Sequence, residues 1–250
     1  MIERKGKIRI LPKPHINSYQ YSNRITVLLY FKEAMSYGVI LAKILPQKFL
    51  NDFLDGNLHM NSDDYFTRVD ADGFLRSDRD EGADKAVQFK EISILDGSGS
   101  WVPIGGAKSP LIHRYEDKQH RNILCMYMFT DKTSFKFDKR NIEFGSVAVV
   151  ITDLKEFVKR IETASKAKGG IFLQAPVEYV NKQEYHGQMG PFRKFSEYEH
   201  QSEFRFVLFS DSNELCEEIK LPIGDIRDIS MVCPSDKLID LPSNVNKTNC

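Results

Sequence analysis

The chain has 250 residues, of which 41% are hydrophobic and 28% are charged, an ordinary composition for a soluble globular protein. Its 35 basic and 35 acidic residues cancel, so no overall field draws the protein to nucleic acid or membrane. No stretch approaches the roughly 20 apolar residues of a spanning helix, and the start of the chain lacks the apolar segment of a secretory signal. We expect a cytoplasmic protein with one domain over residues 1–241 and a loose tail over 242–250.

The first predicted elements are a strand and a helix. Residues 24–31 are apolar and β-branched, which indicates a strand. Residues 36–56 carry apolar side chains at helical spacing, and Gly56 is placed to close a helix there. The apolar residues at that spacing are Leu50, Phe53 and Leu54.

A strand, a loop and a hairpin follow. Residues 57–69 alternate loosely between polar and apolar, which favours a short strand leading into a loop. The segment 70–86 is dense in charge and carries two glycines, so we expect a loop with a helical turn near Asp80. Residues 86–104 predict a hairpin around a glycine–serine turn.

The second half of the chain predicts most of a sheet and one clear helix. Residues 122–130 and 145–153 are apolar and indicate buried strands. Residues 154–167 predict an amphipathic helix that Thr152 or Asp153 could cap. Its apolar stripe consists of Phe157, Val158 and Ile161.

The order of the elements predicts the fold class. Further strands are expected at 171–181, 201–210 and 217–234. About eight strands and two helices, with the strands in runs, favour an α+β fold over an alternating parallel one. We therefore expect a mostly antiparallel, split sheet with a few packed helices.

Several common sites are absent from the sequence. There is no P-loop, no G-x-G-x-x-G, no G-x-S-x-G and no H-E-x-x-H motif. The cysteines are widely spaced, without a C-x-x-C pair, so a thiolate metal site is not expected and a reducing compartment fits best. They are Cys125, Cys216, Cys233 and Cys250.

A polar cluster interrupts the strand YEHQSEFRFVLF at 198–209. On an extended backbone Gln201 and Glu203 point to one face, and Arg205 continues that face. A glutamate there could hold a ribose hydroxyl and stabilise positive charge on the sugar, while a glutamine orients the nucleophile. The alternative is that Glu203 and Arg205 form a surface ion pair of little energetic value.

Two further clusters precede it. In RSDRDEG (76–82), Arg76 and Arg79 could hold phosphates, its carboxylates could bind a divalent metal ion, or the loop could be a self-paired charged segment. In NLHMNSDDYF (57–66), His59 lies in a strand, and Tyr65 could stack on a planar ring or belong to an aromatic core.

Together these clusters resemble a group of prokaryotic proteins of unknown function that recur near mobile elements and phage-defence genes. The matching stretches are DGNLHMNSDDYF (55–66), RSDRDEG (76–82) and FRKFSEYEHQSEFRFVL (192–208). The last of them is also similar to the Q/E-x-E strand of ADP-ribosyltransferases. That resemblance implies an ADP-ribosyltransferase-like fold, with NAD in a cleft between two small sheets as the substrate.

The resemblance also implies roles for individual residues. Glu203 would be the catalytic glutamate, and Gln201 would help to choose the acceptor. On the NAD side, His59 or Arg76 would hold the phosphates or the ribose, Tyr65 would stack near the nicotinamide, and Arg205 would complete the binding face. ADP-ribose would pass to a protein or to RNA or DNA, and the protein would be a toxin or phage-defence effector, with an antitoxin or another defence protein as partner.

Two other function classes stay open on sequence alone. A metal-dependent nuclease would use carboxylates as oxygen ligands, with Arg79 on a phosphate. Those carboxylates are Asp78, Asp80, Glu81 and Glu203. In a non-catalytic binding protein of a defence system, the same residues would be ordinary ion pairs. Near the expected site, Lys182, Arg193 and Lys194 keep a nucleic-acid acceptor open.

Overall fold

A computed structural model of the protein describes residues 8–12, 38–62, 65, 78, 80–106, 109–115, 121–130, 136–209 and 218–240. The expected strand at 24–31 and the expected tail at 242–250 lie outside these residues. Within them, the predicted α+β class is confirmed, with mostly antiparallel sheets and few helices. None of the described helices combines the length and the apolar character needed to cross a membrane.

The described elements run in the following order. The strands are β1 (Ile8–Pro12), β2 (Ile40–Leu45), β3 (Asn57–Ser62), β4 (Lys85–Val87), β5 (Phe89–Leu95), β6 (Trp101–Gly105), β7 (Leu111–His113), β8 (Arg121–Phe129), β9 (Val147–Ile151), β10 (Ile171–Pro176), β11 (Glu178–Val180), β12 (Gly187–Gln188), β13 (Arg193–Phe195), β14 (Glu203–Phe209), β15 (Glu218–Pro222) and β16 (Ser230–Pro234). The α-helices are α1 (Leu50–Leu54) and α2 (Leu154–Ala167). Short 3₁₀ helices cover Gln47–Phe49, Lys139–Phe144, Gly190–Phe192, Ser196–Gln201, Arg227–Ile229 and Ser235–Asp240.

The strands form one large sheet and three small ones. The large sheet has the order β10-β14-β8-β2-β9-β16, and β3 joins it by pairing with both β8 and β15. The hairpin β5–β6 is extended by β1, and β4 lies between β12 and β7. β11 and β13 form a parallel pair, while the other pairs are antiparallel. This last pair places residues 193–195 next to the start of β14.

The segment 36–56 is mostly not the helix that its apolar spacing suggested. Helix α1 covers only its last turn, and Gly56 ends it with φ +78°. The preceding apolar run, Ile40–Leu45, is β2 in the middle of the large sheet. A strand with apolar residues buried on both faces has no alternation to distinguish it from a buried helix, which explains the difference.

Helix α2 covers one face of the large sheet and fixes the orientation of β14. Asp153 caps α2 by accepting a hydrogen bond from the backbone N–H of Glu156, as the sequence suggested. The buried stripe of the helix packs on alternate residues of β14, and the rings of Phe157 and Phe206 meet edge to face at 5.8 Å. Because side chains alternate along a strand, Glu203 and Arg205 point to the opposite face.

The large sheet splits along one edge of β8. β2 pairs with that edge at residues 127–129, and β3 pairs with it at residues 122–123. Residues 124–126 pair with β14 on the other edge, but no described strand pairs with them on this one. In the gap, Lys43 donates a hydrogen bond from Nζ to the backbone carbonyl of Cys125 at 2.8 Å, which satisfies an acceptor that a strand would otherwise have paired.

The close approach of two backbone turns sets the position of β3. A Cβ atom on Gly56 would lie 1.8 Å from the carbonyl oxygen of Gly224. The backbone N–H of Ile223 donates to the carbonyl of Gly56 at 2.9 Å, so the two turns are held together. This contact fixes the start of β3, and with it the strand that carries His59.

We predict that Gly56→Ala destabilises the fold more than Gly99→Ala does. Both glycines have positive φ (+78° and +87°), and no heavy atom lies within 4 Å of a Cβ at Gly99. Gly99→Ala should therefore cost only the left-handed backbone term, about 1 kcal/mol, and Gly56→Ala at least about 2 kcal/mol more because of the clash. Urea unfolding of both variants measures the difference, and equal losses would contradict the close approach.

Candidate functional site

A cavity of about 440 Å³ occupies the split between β2 and β3. Its walls come from residues 43–45 of β2, residues 57, 59 and 61 of β3, and residues 123–127 of β8. Aromatic side chains, including Phe49, Phe53 and Phe144, supply part of the apolar lining. The cavity therefore lies where the sheet lacks a strand.

The lining residues differ sharply in exposure from one end of the cavity to the other. Phe49 is 47% exposed and Tyr65 is 38% exposed, which places the mouth beside them. Four charged residues at the other end are between 1% and 8% exposed and form the floor. They are Glu81, Lys194, Glu203 and Arg205.

Glu203 is held by two cations at this floor. Its Oε1 accepts a hydrogen bond from Lys194 Nζ at 2.7 Å, and its Oε2 accepts one from Arg205 Nε at 2.7 Å. Its backbone N–H donates to the hydroxyl of Tyr179 at 2.9 Å. Burial alone would raise the pKa of Glu203, but the charges of Arg205 and Lys194 and their hydrogen bonds outweigh it and hold the pKa well below its ordinary value. Glu203 is therefore ionised at every physiological pH.

The second anchor of Arg205 is Glu81, from the charged loop. The guanidinium donates to both carboxylate oxygens of Glu81 at 2.8 and 2.7 Å and to the carbonyl of Pro191 at 2.7 Å. Such a bidentate pair fixes both groups strongly. Burial tends to raise the pKa of Glu81, and the charge of Arg205 lowers it overall. Most of the N–H groups of Arg205 are used in these hydrogen bonds. Arg205 therefore orients Glu203 and has few N–H groups left to bind a phosphate.

Charge is balanced in this cluster below about pH 7, where one nearby acid is mostly protonated. Lys194 and Arg205 are two cations, and Glu81 and Glu203 are two anions, so these four sum to zero. Asp78 lies 3.8 Å from Lys194 and is only 3% exposed. Burial raises the pKa of Asp78 to about 7, opposed by the charge of Lys194 and reinforced by that of Glu81.

Gln201 reaches the same lysine by a route that the sequence argument did not foresee. It ends the 3₁₀ helix Ser196–Gln201, and Ser202 is left-handed at φ +42°, so the backbone between Gln201 and Glu203 is not extended. The two side chains nevertheless meet, since Lys194 Nζ also donates to Gln201 Oε1 at 2.7 Å. That bond assigns the amide oxygen to Lys194 and turns the amide nitrogen, a pure donor, elsewhere.

His59 lines the cavity between two carboxylates. Its Nδ1 lies 2.5 Å from Glu218 Oε1, and its Nε2 lies 2.5 Å from Asp52 Oδ2. Asp52 also accepts hydrogen bonds from Asn57 at 2.9 Å and from Lys220 at 3.2 Å. Both ring nitrogens are thus engaged, so a ligand would meet His59 through the face or edge carbons of its ring.

The remaining predicted binding residues differ in what can be said of them. Tyr65 lines the mouth of the cavity, where its ring is accessible for stacking. Arg76 and Arg79 lie outside the described residues. The predicted surface pair of Glu203 and Arg205 does form, but it is buried and borders the cavity, so the alternative of an exposed ion pair is wrong.

The basic residues near the site do not form a solvent-facing strip for nucleic acid. Lys194 is 5% exposed and belongs to the floor cluster, and Arg193 is 8% exposed and donates to Glu178 at 2.7 Å. Lys182 donates to Asp80 at 2.7 Å. The positions of these three charges therefore do not support the nucleic-acid acceptor that the sequence left open.

Two of the carboxylates that a metal-dependent nuclease would use form ion pairs with protein cations. Lys194 and Arg205 sit where a metal ion would contact Glu81 and Glu203. Across the described part of the chain, no group of three or more His, Cys, Asp or Glu side chains is arranged to hold a metal ion.

Two of the cysteines can be placed. Cys125 and Cys233 are free thiols, while Cys216 and Cys250 lie outside the described residues. Cys125 lines the cavity, and burial, reinforced by the charge of Glu203, raises the pKa of its thiol to about 12. It is therefore not a thiolate nucleophile at neutral pH.

Sequence reasoning missed three polar residues of the site. Lys194 was considered only as one of three basic residues that left a nucleic-acid acceptor open, and Lys43 and Asn141 were not singled out. Lys43 gave a usable signal, because it is a lone charge inside the apolar run ILAKIL. Asn141 gave none, since its place depends on how the 3₁₀ helix Lys139–Phe144 packs against residue 200.

Compared with protein-family models, with curated proteins and with solved structures, the chain matches none of them.

We predict that Asp78→Asn stabilises the protein in a pH-dependent way. The folded pKa of Asp78, about 7, lies above its unfolded value, so its ionisation opposes folding increasingly as pH rises from about 4 to about 7. Relative to wild type, the variant should gain a few kcal/mol of unfolding free energy across this window, at about 1.4 kcal/mol per pKa unit. Asn keeps the oxygen that accepts from the N–H of residue 80.

Urea unfolding of both proteins at a series of pH values measures this gain. Protonation of the other carboxylates is common to both proteins and cancels in the difference to first order. A difference that does not change between about pH 4 and about pH 8 would show that Asp78 does not titrate as described.

Proposed function

We propose that the cavity binds NAD and that the protein transfers ADP-ribose from it, with Glu203 as the catalytic glutamate. One observation carries this proposal: three stretches that are far apart in sequence line one cavity. His59 and Tyr65 come from the first stretch, Glu81 from the second, and Glu203 with its neighbours from the third. These are the same three stretches on which the resemblance to a defence-associated family and to ADP-ribosyltransferases rests.

The size and lining of the cavity suit a nucleotide. Its volume of about 440 Å³ falls within the usual range of small-molecule sites, roughly 300–1,000 Å³. Such sites combine apolar and aromatic walls with a few placed polar groups, and this cavity has aromatic residues near the mouth and charged residues at the floor. We place the nicotinamide riboside half against the floor, with the rest of NAD running toward Tyr65.

The reaction assigned to this site begins with cleavage of the bond between nicotinamide and ribose. The bonding electron pair leaves with the nicotinamide nitrogen, and positive charge develops on the ribose. Glu203 accepts a hydrogen bond from a ribose hydroxyl and stabilises that charge; because its pKa is so low, it acts as an anion and not as a proton acceptor. An acceptor nucleophile then bonds to the ribose carbon and releases its proton to solvent.

Gln201 is assigned to the acceptor. Its oxygen is held by Lys194, so its amide nitrogen is the end that can donate to an acceptor oxygen. The acceptor is a protein or a nucleic acid, and the resemblance favours a toxin or phage-defence effector that an antitoxin or another defence protein restrains.

Glu203→Gln should reduce NAD cleavage by at least about 10²-fold, the usual effect of removing one electrostatic stabiliser. Release of nicotinamide from NAD measures this, and NAD labelled in the adenine, incubated with cell extract, reports transfer into separate protein and nucleic-acid fractions. Label in either fraction identifies the acceptor class.

Glu81→Gln is the matched control for the loss of a buried charge. It removes an anion from the same cluster and leaves Arg205 partly uncompensated, so it should lower stability to a similar extent as Glu203→Gln. Its NAD cleavage should fall less, because Glu81 lines the floor but has no contact with the ribose in the proposed reaction and acts on Glu203 through Arg205. Equal activity of Glu203→Gln and wild type, or no NAD cleavage by wild type under any condition tested, would refute the proposed function and favour a non-catalytic binding protein.

A further inference from the structure

Asn141 carries a buried acceptor without a donor at the wall of the cavity. Among the described residues, a few buried side-chain atoms have no hydrogen-bond partner, and of their residues only Asn141 lines this cavity. Its side chain is 0% exposed, and the unpartnered atom is Oδ1. An unsatisfied buried polar atom of this kind is destabilising, so its presence calls for an explanation.

The orientation of the Asn141 amide is fixed by its other end. Nδ2 donates to the carbonyl of Asp138 at 3.0 Å and to the carbonyl of His200 at 2.7 Å. A flipped amide would set its oxygen against these two carbonyl oxygens, which is unfavourable, so the assignment of Oδ1 is secure. The atom left for a ligand is therefore an acceptor, and the ligand must present an N–H or O–H to it.

Phe144 follows Asn141 by one turn of the same helix. Asn141 and Phe144 belong to the same 3₁₀ helix, Lys139–Phe144, and both line the cavity. In a 3₁₀ helix, side chains three residues apart lie on the same side. The pair thus offers an aromatic surface next to a hydrogen-bond acceptor, which suits a planar ring that bears an exocyclic N–H group.

The position of Asn141 relative to Glu203 indicates which of the two rings of NAD, nicotinamide or adenine, would bind beside it. Asn141 holds the carbonyl of His200, whose peptide bond leads directly into Gln201, so it lies beside the floor of the cavity. A ring bound there is the one attached to the ribose carbon at which Glu203 acts. We propose that Asn141 Oδ1 accepts a hydrogen bond from the carboxamide NH₂ of nicotinamide and makes the site selective for the amide; this assignment rests on the proposed function.

The test compares dinucleotides that differ in one group. Nicotinic acid adenine dinucleotide replaces the carboxamide by a carboxylate, which has no hydrogen to donate and would oppose Oδ1. Wild type should cleave it with a kcat/KM at least tenfold below that for NAD. Nicotinamide hypoxanthine dinucleotide keeps the carboxamide and lacks the amino group of adenine, and it should behave as NAD does.

Two variants locate the selectivity at Asn141. In Asn141→Ala the ratio of kcat/KM for NAD to that for nicotinic acid adenine dinucleotide should fall to about threefold or less, even if both values are lower than in wild type. Gln174→Ala is the matched control, because Gln174 Oε1 is also buried and unpartnered but does not line the cavity; the variant should keep the full preference. If Asn141→Ala does not fold, equal cleavage of the two dinucleotides by wild type would still overturn the assignment.

The outcomes separate the two proposals. If wild type cleaves NAD and its acid analogue equally, or if Asn141→Ala keeps the preference, the role of Asn141 is wrong while NAD cleavage stands. If only the hypoxanthine dinucleotide is discriminated against, Asn141 faces the adenine and the assignment to nicotinamide is wrong. If wild type cleaves no dinucleotide, both proposals fail together, and Glu203→Gln will show no effect either.

Discussion

The buried pairing of Lys194 and Arg205 with Glu203 and Glu81 is the interaction on which the site depends. It joins the charged loop before β4 to β13 and the start of β14, which lie far from that loop in sequence. Buried ion pairs repay the desolvation of their charges only when their geometry is good and their remaining donors are used. Here Lys194 makes two short hydrogen bonds and Arg205 makes four. Removing any one member leaves an uncompensated charge beside the cavity.

The cavity itself follows from a missing stretch of pairing. β2 and β3 approach β8 at its two ends and diverge between them, so three residues of β8 have one open edge. Residues 43–45 of β2 pair with β9 but no longer with β8. A gap of this kind exposes backbone groups, and Lys43 satisfies one of them from inside the strand. The same divergence that opens the sheet therefore explains a lysine in an apolar run.

Much of the fold could be predicted because its signals are local. Helix α2 has the predicted bounds, since an apolar stripe and a capping aspartate both lie within its own sequence. β2 was mistaken because a strand with apolar residues buried on both faces has no periodicity. The meeting of Gln201 with Glu203 was expected from an extended backbone, yet it results from a 3₁₀ helix, a left-handed Ser202 and a shared lysine. Contacts of that kind depend on tertiary structure and leave no pattern in the sequence.

The charge state of the cluster limits what Glu203 can do to a ligand. A cluster of zero net charge has a field that falls quickly with distance, so Glu203 acts on atoms in direct contact with its carboxylate and hardly on others. Lys194 and Arg205 hold that carboxylate in place, so the proposed reaction would need little reorganisation as charge develops next to it. Ionisation of Asp78 above about pH 7 would add one negative charge 3.8 Å from Lys194 and draw the lysine away from Glu203. Below about pH 7 the protonated Asp78 thus leaves Lys194 available to Gln201 and Glu203.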